Sequence, residues 1–263
     1  MTDNQKTDTL NSIKFLGTAG ARFVMIKQLR SSGGIWLCLA GKNILLDPGP
    51  GSLVRATSSK PKLDPTKLDA IIITHKHLDH TGDLSVMIEA MTEGGFKKRG
   101  LLFAPGDALE EGNDPVVPKY LRGFPEKIEI LKEGGEYRIG DIFFNTPVRH
   151  VHRVETYGLN FRVDGNDILS VIADTKYFEG IEKHYPGKVL VINVVRFEKD
   201  PSLDHLSIPE VKMIIEKARP QKAIITHFGM KVVQAKPWEV AEAMTKELGI
   251  EVIAARDGME LPL

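Results

Sequence analysis

Runs of apolar residues punctuated by glycine and proline dominate the chain, and their periods predict an alternation of strands and helices. Strand-like segments occur at 13–16, 35–40 and 43–46, the last two joined by a turn at Gly41-Lys42. Ala70-Ile71-Ile72-Ile73 is short and almost wholly β-branched, which is how a strand buried on both faces reads. Leu84, Met87, Ile88 and Met91 then recur at helical spacing. The glycine-, proline- and charge-rich stretch 94–140 holds short strands at 101–103 and 127–131 and a helical fragment near Pro118. Strand signals return at 142–144, 158–163, 168–173, 189–195, 223–226 and 251–254. A helix over 209–218 opens on Pro209 and closes before Pro220, and one over 238–248 is capped by Gly249. No repeat, linker or low-complexity tract divides the chain, so the expectation is one domain over 1–263 with a disordered polar tail at 1–11.

Composition narrows the function classes. In 263 residues, 35 basic side chains balance 35 acidic ones, which disfavours a broad electrostatic grip on nucleic acid or an anionic membrane. The single cysteine, Cys38, excludes an internal disulfide and a cysteine-only metal cluster, and its apolar surroundings read as core. No apolar run approaches the ~18 residues of a membrane span, and the polar N-terminus does not read as a secretory signal. A cytoplasmic protein is expected.

The histidines carry the chemistry. Thr74-His75-Lys76-His77-Leu78-Asp79-His80 places three imidazoles and a carboxylate directly after a buried strand, where a tight loop can fan them around one point. Borderline cations such as Zn²⁺ or Mn²⁺ accept that donor mix. Four more polar residues follow or end strand-like runs: His152, Asp174, His205 and His227. Their repetition at strand ends predicts convergence on one rim. His150, two residues before His152, reads as an alternative ligand or a supporting residue, and His184 as exposed.

These motifs resemble the metallo-β-lactamase superfamily, and within it the branch of tRNA 3′-processing endonucleases (tRNase Z, ribonuclease Z) and small phosphodiesterases such as the one serving carbon–phosphorus-lyase metabolism. The resemblance rests on Leu46-Asp47-x-Gly49-x-Gly51, His75-x-His77-x-Asp79-His80, His152-x-x-Glu155-x-Tyr157-Gly158, Asp174-Thr175, Asp204-His205-Leu206-Ser207, Thr226-His227-Phe228 and Asp257-Gly258-Met259-Glu260-Leu261. It implies an α/β fold, the αββα four-layer sandwich of two mixed β-sheets flanked by helices. It implies two divalent metal ions, Zn²⁺ or Mn²⁺ with Fe²⁺ also compatible. His75, His77 and His152 would bind one, Asp79, His80 and His227 the other, and Asp174 would bridge them. A metal-bridging hydroxide would attack the substrate, with Asp79 orienting or deprotonating it and His205 protonating the leaving alkoxide or hydrogen-bonding the pentacoordinate oxygens. A homodimer is the implied assembly.

Two departures refine the expectation. Only 21 residues (153–173) separate His152 from Asp174, enough for one hairpin and too few for a tRNA-clamping arm. Residues 21–30 lack the cysteines of a zinc knuckle, and Arg22, Lys27 and Arg30 stand there as candidates to face an anionic substrate. The leading reading is a dinuclear hydrolase acting on a small or nucleotide-derived phosphodiester. Alternatives are a thioesterase or lactonase of the same fold and an armless ribonuclease Z-like RNA endonuclease. A non-catalytic scaffold predicts missing ligands, and none is missing.

Overall fold

The first hairpin shows how local sequence sets up the architecture. β2 (Ile35–Leu39) and β3 (Lys42–Leu46) pair antiparallel from Ile35 with Leu46 to Leu39 with Lys42. Their turn is Ala40-Gly41, both at positive φ (45° and 75°), one residue earlier than the sequence suggests. The computed structural model describes residues 11–110, 112 and 114–263. Of the expected tail, 1–10 lie outside the described residues. Asn11 is tied down: its side-chain oxygen accepts from the Ala40 amide and its carbonyl from the Leu263 amide, each at 2.9 Å.

Among the described residues two seven-stranded sheets form. The first runs β14 (Glu260–Pro262), β1 (Ser12–Phe15), β2, β3, β4 (Ala70–Ile72), β5 (Leu101–Pro105), β6 (Lys127–Leu131). The second runs β13 (Glu251–Ala254), β12 (Lys222–Thr226), β11 (Val189–Asn193), β10 (Asn166–Ile172), β9 (Leu159–Val163), β8 (Ile142–Thr146), β7 (Gly135–Ile139). Each is mixed: β3 to β6 and β10 to β13 pair in parallel, and the other pairs are antiparallel. The interval 153–173 holds the β9–β10 hairpin, with a register shift between Asp167 and Leu169.

The inner faces meet in one apolar layer to which both sheets contribute, among others Phe15, Leu37 and Phe103 from the first and Phe144, Phe161 and Val171 from the second. Phe103 meets Phe144 edge-on at 4.9 Å between ring centres, a geometry aromatic pairs favour. Each outer face carries helices. α4 (Leu84–Met91) buries Leu84, Met87, Ile88 and Met91 against Leu45, Ile71 and Leu102. Each such side chain is worth about 1.5–3 kcal/mol of apolar burial. On the other side, α5 (Ile208–Ala218) and α7 (Pro237–Leu248) cover Leu190, Ile192, Ala223 and Ile225. α5 begins in a reciprocal capping box between Ser207 and Glu210 with Pro209 in its first turn, and α7 ends on left-handed Gly249, as their sequences suggest. The layers are therefore helix, sheet, sheet, helix. Strands covered on both faces, such as β4 and β12, are the ones that read as unbroken apolar runs.

Four short helices escape the sequence reading: α1 (Ala21–Ile26), α2 (Ser52–Thr57), α3 (Leu78–Thr81) and α6 (Met230–Gln234). None is longer than six residues, so periodicity has too few turns to register. No described helix is long and apolar enough to cross a membrane. The arrangement puts the C-terminal ends of parallel strands β3, β4, β10 and β12 along one rim, the usual place for a site in such sheets.

Candidate metal centre

Each strand of that rim hands over a polar residue. Asp47 follows β3, His75 and His77 follow β4, Asp174 follows β10, and His227 follows β12. The expected loop at 75–80 is partly helical: His77 is the N-cap of α3, whose single turn carries Asp79 and His80. His152 and His205 arrive on the segments after β8 and β11.

The structure gathers these side chains. Donor atoms of His75, His77 and His152 lie within 4.8 Å of one another, as do those of Asp79, His80 and His227. A third group, His75, His80 and Asp174, joins the two. Asp174 Oδ2 is 3.6 Å from His80 Nε2, 4.0 Å from His75 Nε2 and 3.4 Å from His205 Nδ1, while Oδ1 is 3.5 Å from His227 Nδ1. His227 Nε2 is 3.2 Å from Asp79 Oδ2. All seven residues expected as metal ligands reach the cluster, and His205 stands at its edge, its side chain 21% exposed, while Arg30 lies over the Phe228 ring rather than among the donors.

Hydrogen bonds aim the rings. The Thr74 hydroxyl donates to Asp47 Oδ2 (2.8 Å) and so accepts from His75 Nδ1 (3.0 Å), which turns His75 Nε2 toward the cluster. The same Oδ2 takes a hydrogen bond from His80 Nδ1 at 2.9 Å, and Oδ1 holds the Thr74 amide at 2.7 Å. Asp47 thus orients two rings at once. His152 Nδ1 donates to the Asp204 carbonyl (3.0 Å), leaving Nε2 for the cluster, where it lies 3.1 Å from His77 Nδ1. Asn193 Nδ2 donates to Asp174 Oδ1 at 2.8 Å. Such partners set the tautomer and ring angle that a cation needs.

The backbone approaches closely where the motif has glycine. A Cβ on Gly49 would meet the carbonyl oxygens of Asp79 and Ser32 at 2.1 Å, and one on Gly20 would meet His227 Nδ1 at 2.4 Å. His227 itself sits in the left-handed region (φ 60°), a strained setting for a non-glycine residue that aims its ring at both carboxylates.

Charge is divided unevenly. Burial, aided by the neighbouring His80, pushes the His75 pKa well below its ordinary value, and burial with His152 nearby brings His77 down to about 4. Burial also opposes charge on His80, but Asp79, Asp47 and Asp174 outweigh it and hold that ring well above its ordinary value. For Asp174, burial works toward a higher pKa and is overcome by His227, His80 and His205, which keep it well below the usual carboxylate range. Asp79 follows the same balance, with His80 and His227 prevailing over burial.

The donor set fits divalent cations. The Nε2 atoms of His75 and His80 and both nitrogens of His227 are buried with no hydrogen-bond partner, a costly arrangement unless a cation completes it. A cavity of about 40 Å³ opens beside them, walled in part by Asp79, His80, His227 and Asn193, and it is large enough for water.

His150 belongs behind the cluster. It is fully enclosed, bonded through Nε2 to the Tyr185 hydroxyl and through Nδ1 to the Asp174 carbonyl at 3.3 Å. Burial lowers its pKa to about 4, so it braces Asp174 as a neutral ring. Asp47 is the functional residue that sequence reasoning left out of the site. Its place in the motif with Gly49 and Gly51 was the available signal, but an aspartate before Pro-Gly reads first as a turn former.

Comparison with known proteins agrees with this geometry. A profile described as the Beta-lactamase superfamily domain matches residues 42–228. An uncharacterized protein of Methanocaldococcus jannaschii is 30% identical over 258 residues, covering 95% of this chain and 94% of its own. In fold, the chain is similar to the metallo-β-lactamase fold protein YhfI from Bacillus subtilis (TM-score 0.77, 18% identity, 96% and 99% of the two chains). It is also similar in fold to a diphosphatase of the PhnP family (TM-score 0.69, 19% identity, 96% and 97%).

Proposed function

The chain belongs to the β-lactamase superfamily and, by that membership and its donor set, is a metal-dependent hydrolase; from that premise we propose that it holds two divalent ions and cleaves a small or nucleotide-derived phosphodiester. The observation that carries this is the fusion of two donor triples through a third that contains Asp174, with four buried ring nitrogens that face carboxylates without a hydrogen bond. His75, His77 and His152 would hold one ion, Asp79, His80 and His227 the other, and Asp174 would serve both. When bound, the pair supplies an acidified water and positive charge against a phosphoryl oxygen, chemistry that Zn²⁺, Mn²⁺ and Fe²⁺ all provide.

The chain's own residues do the rest. Asp47, Thr74 and the Asp204 carbonyl fix three rings, so the site needs little reorganisation. Asp79, kept ionised by its histidine neighbours, is placed to accept a hydrogen bond from the attacking water and orient it. His205 combines contact with Asp174 and a solvent-facing edge, the position from which an N–H reaches the leaving oxygen. Burial lowers its pKa although the facing Asp174 works the other way. α1 and α3, which pack together, leave Phe23, Ile26 and Leu78 exposed beside the cluster, an apolar lip suited to the organic part of a small diester.

The test is a substrate panel with Mn²⁺ or Zn²⁺: bis-p-nitrophenyl phosphate, a 2′,3′-cyclic nucleotide, a lactone, a thioester, nitrocefin and a tRNA precursor. Hydrolysis of the first two is expected. Turnover of the thioester or lactone alone would move the assignment to carbonyl chemistry, and of the precursor alone to RNA processing.

A further inference from the structure

A second cavity, of about 180 Å³, lies away from the histidines, between β1, the C-terminal end of α2 and the turn before β14. Lys14, Leu16, Arg55, Ser58, Ser59, Lys60 and Gly258 wall it. Three of those side chains are cationic, and one acidic side chain, Glu260, pairs with Lys14 at 3.1 Å. Lys14 is unusual for its burial: its side chain is 3% exposed in the middle of a strand, a costly position that such a residue takes only when its charge is partnered.

Several acceptors around this cavity are already in use. The Lys60 carbonyl takes the Lys14 ammonium at 3.0 Å. Two of the carbonyls that end α2, which would repel an anion, are covered: Val54 by the Ser58 amide and hydroxyl, Ala56 by the Ser59 amide and hydroxyl and by the Leu63 amide. The donors are not. Arg55 spends Nε on the Leu16 carbonyl (3.1 Å), which pins the guanidinium, and no other bond or ion pair of Arg55 or of the Lys60 ammonium occurs among the described residues. The result is a walled space with surplus positive charge and spare N–H donors on Arg55 and Lys60.

We propose that this cavity is an anion site for a phosphate-sized oxyanion, held by Arg55 and Lys60 above the Lys14–Glu260 pair. Arg55 offers the planar fork that matches tetrahedral oxyanions, and the volume admits one with accompanying water. The site also has a mechanical link to the cluster. Next to Gly258, Asp257 accepts from the Thr18 hydroxyl and the Ser31 amide, each at 2.7 Å, and Thr18 and Ser32 line the small cavity beside His80 and His227. A phosphorylated product or free phosphate bound here would therefore rest on the segment that borders the reaction site.

The experiment is a phosphate titration of the full-length, metal-loaded protein at constant ionic strength, followed by amide NMR shifts. Amides of Ser58, Ser59 and Gly258 report on this cavity, and those of Thr74 and His227 on the cluster, so the two sites are read separately. Saturable shifts at the first set are expected. Arg55→Gln and Lys60→Gln should each weaken them about tenfold or more, the loss of one charge-assisted bond, while Lys62→Gln leaves them intact. Lys60 is exposed, so its variant keeps the test sound if Arg55→Gln disturbs folding. Methyl phosphate binding as well as inorganic phosphate would assign the site to phosphomonoesters in general, and clearly weaker binding to free phosphate. Shifts that never saturate, that chloride reproduces, or that survive both substitutions would overturn the proposal.

Discussion

The two outer donor triples differ in charge. His75, His77 and His152 are three imidazoles, and burial keeps the first two deprotonated at neutral pH. Asp79, His80 and His227 include a carboxylate and, in the metal-free chain, a ring that three aspartates hold protonated. A borderline cation would meet His75 and His77 as neutral rings, whereas at the second triple it would have to displace a proton from His80. Asp174 is what allows both to exist a few ångströms apart, because its two oxygens face rings of both groups. The largest expected effect in the molecule follows. Asp174→Ala should cut turnover on the order of a thousandfold or more and lower the metal content seen by elemental analysis. Retention of two equivalents and near-normal turnover would show that the triples are independent and that the comparison has no hinge.

His205 probes the edge that the two triples share. Its ring centre is 5.2 Å from that of His152, and Nδ1 faces Asp174, yet it belongs to none of the donor groups. His205→Ala should lower kcat by about 10²-fold or more while metal content stays unchanged. A loss of metal in this variant would make it a ligand and end its separate role in catalysis.

How much of this was legible depended on whether the information is local. His75, His77, Asp79 and His80 are readable because a buried strand and four donors lie in one short segment. Asp174 and His227 are readable because each follows an apolar run whose both-face burial marks a parallel strand, and parallel strands end on a common rim. The bracing contacts were not legible, since Tyr185 meets His150 across 35 positions and Asp47 meets His80 across 33. The same limit hid β14, whose three residues become a strand only by pairing with β1 at the far end of the chain. Residues 21–30 drew notice only for their basic side chains, but the first six of them form α1 with Phe23 and Ile26 turned outward.

Asp47 distinguishes the triples less sharply, because its Oδ2 supports a ring from each: His80 directly and His75 through Thr74. Asp47→Asn should weaken metal binding by about 10–100-fold, the usual cost of losing such a support. Thr74→Val breaks only the relay to His75, so its effect should be smaller and confined to the imidazole triple. Equal losses in both variants would mean that Asp47 acts by holding the Thr74 backbone rather than by aiming rings.

The mildest test is pH, and it reads the charge difference directly. In the metal-free chain the charged His80 stabilises the fold fully below its unperturbed value of 6.5, and that contribution is lost as pH rises through the raised folded value. Asp174 runs the other way, stabilising above 3.8 and ceasing to do so as pH falls through its depressed value. For an ion at the carboxylate triple, displacement of the His80 proton should weaken affinity about tenfold for each pH unit below that ring's folded pKa. At the imidazole triple, His75 and His77 impose no such slope until the pH nears about 4, where His77 begins to protonate. Calorimetric titration in two buffers of different ionisation enthalpy separates the cases: one equivalent of metal should release about one proton and the other almost none. Equal proton release by both equivalents would mean that Asp174 spreads its charge over the two triples alike, and the asymmetry drawn from His80 would then belong to the empty cluster alone.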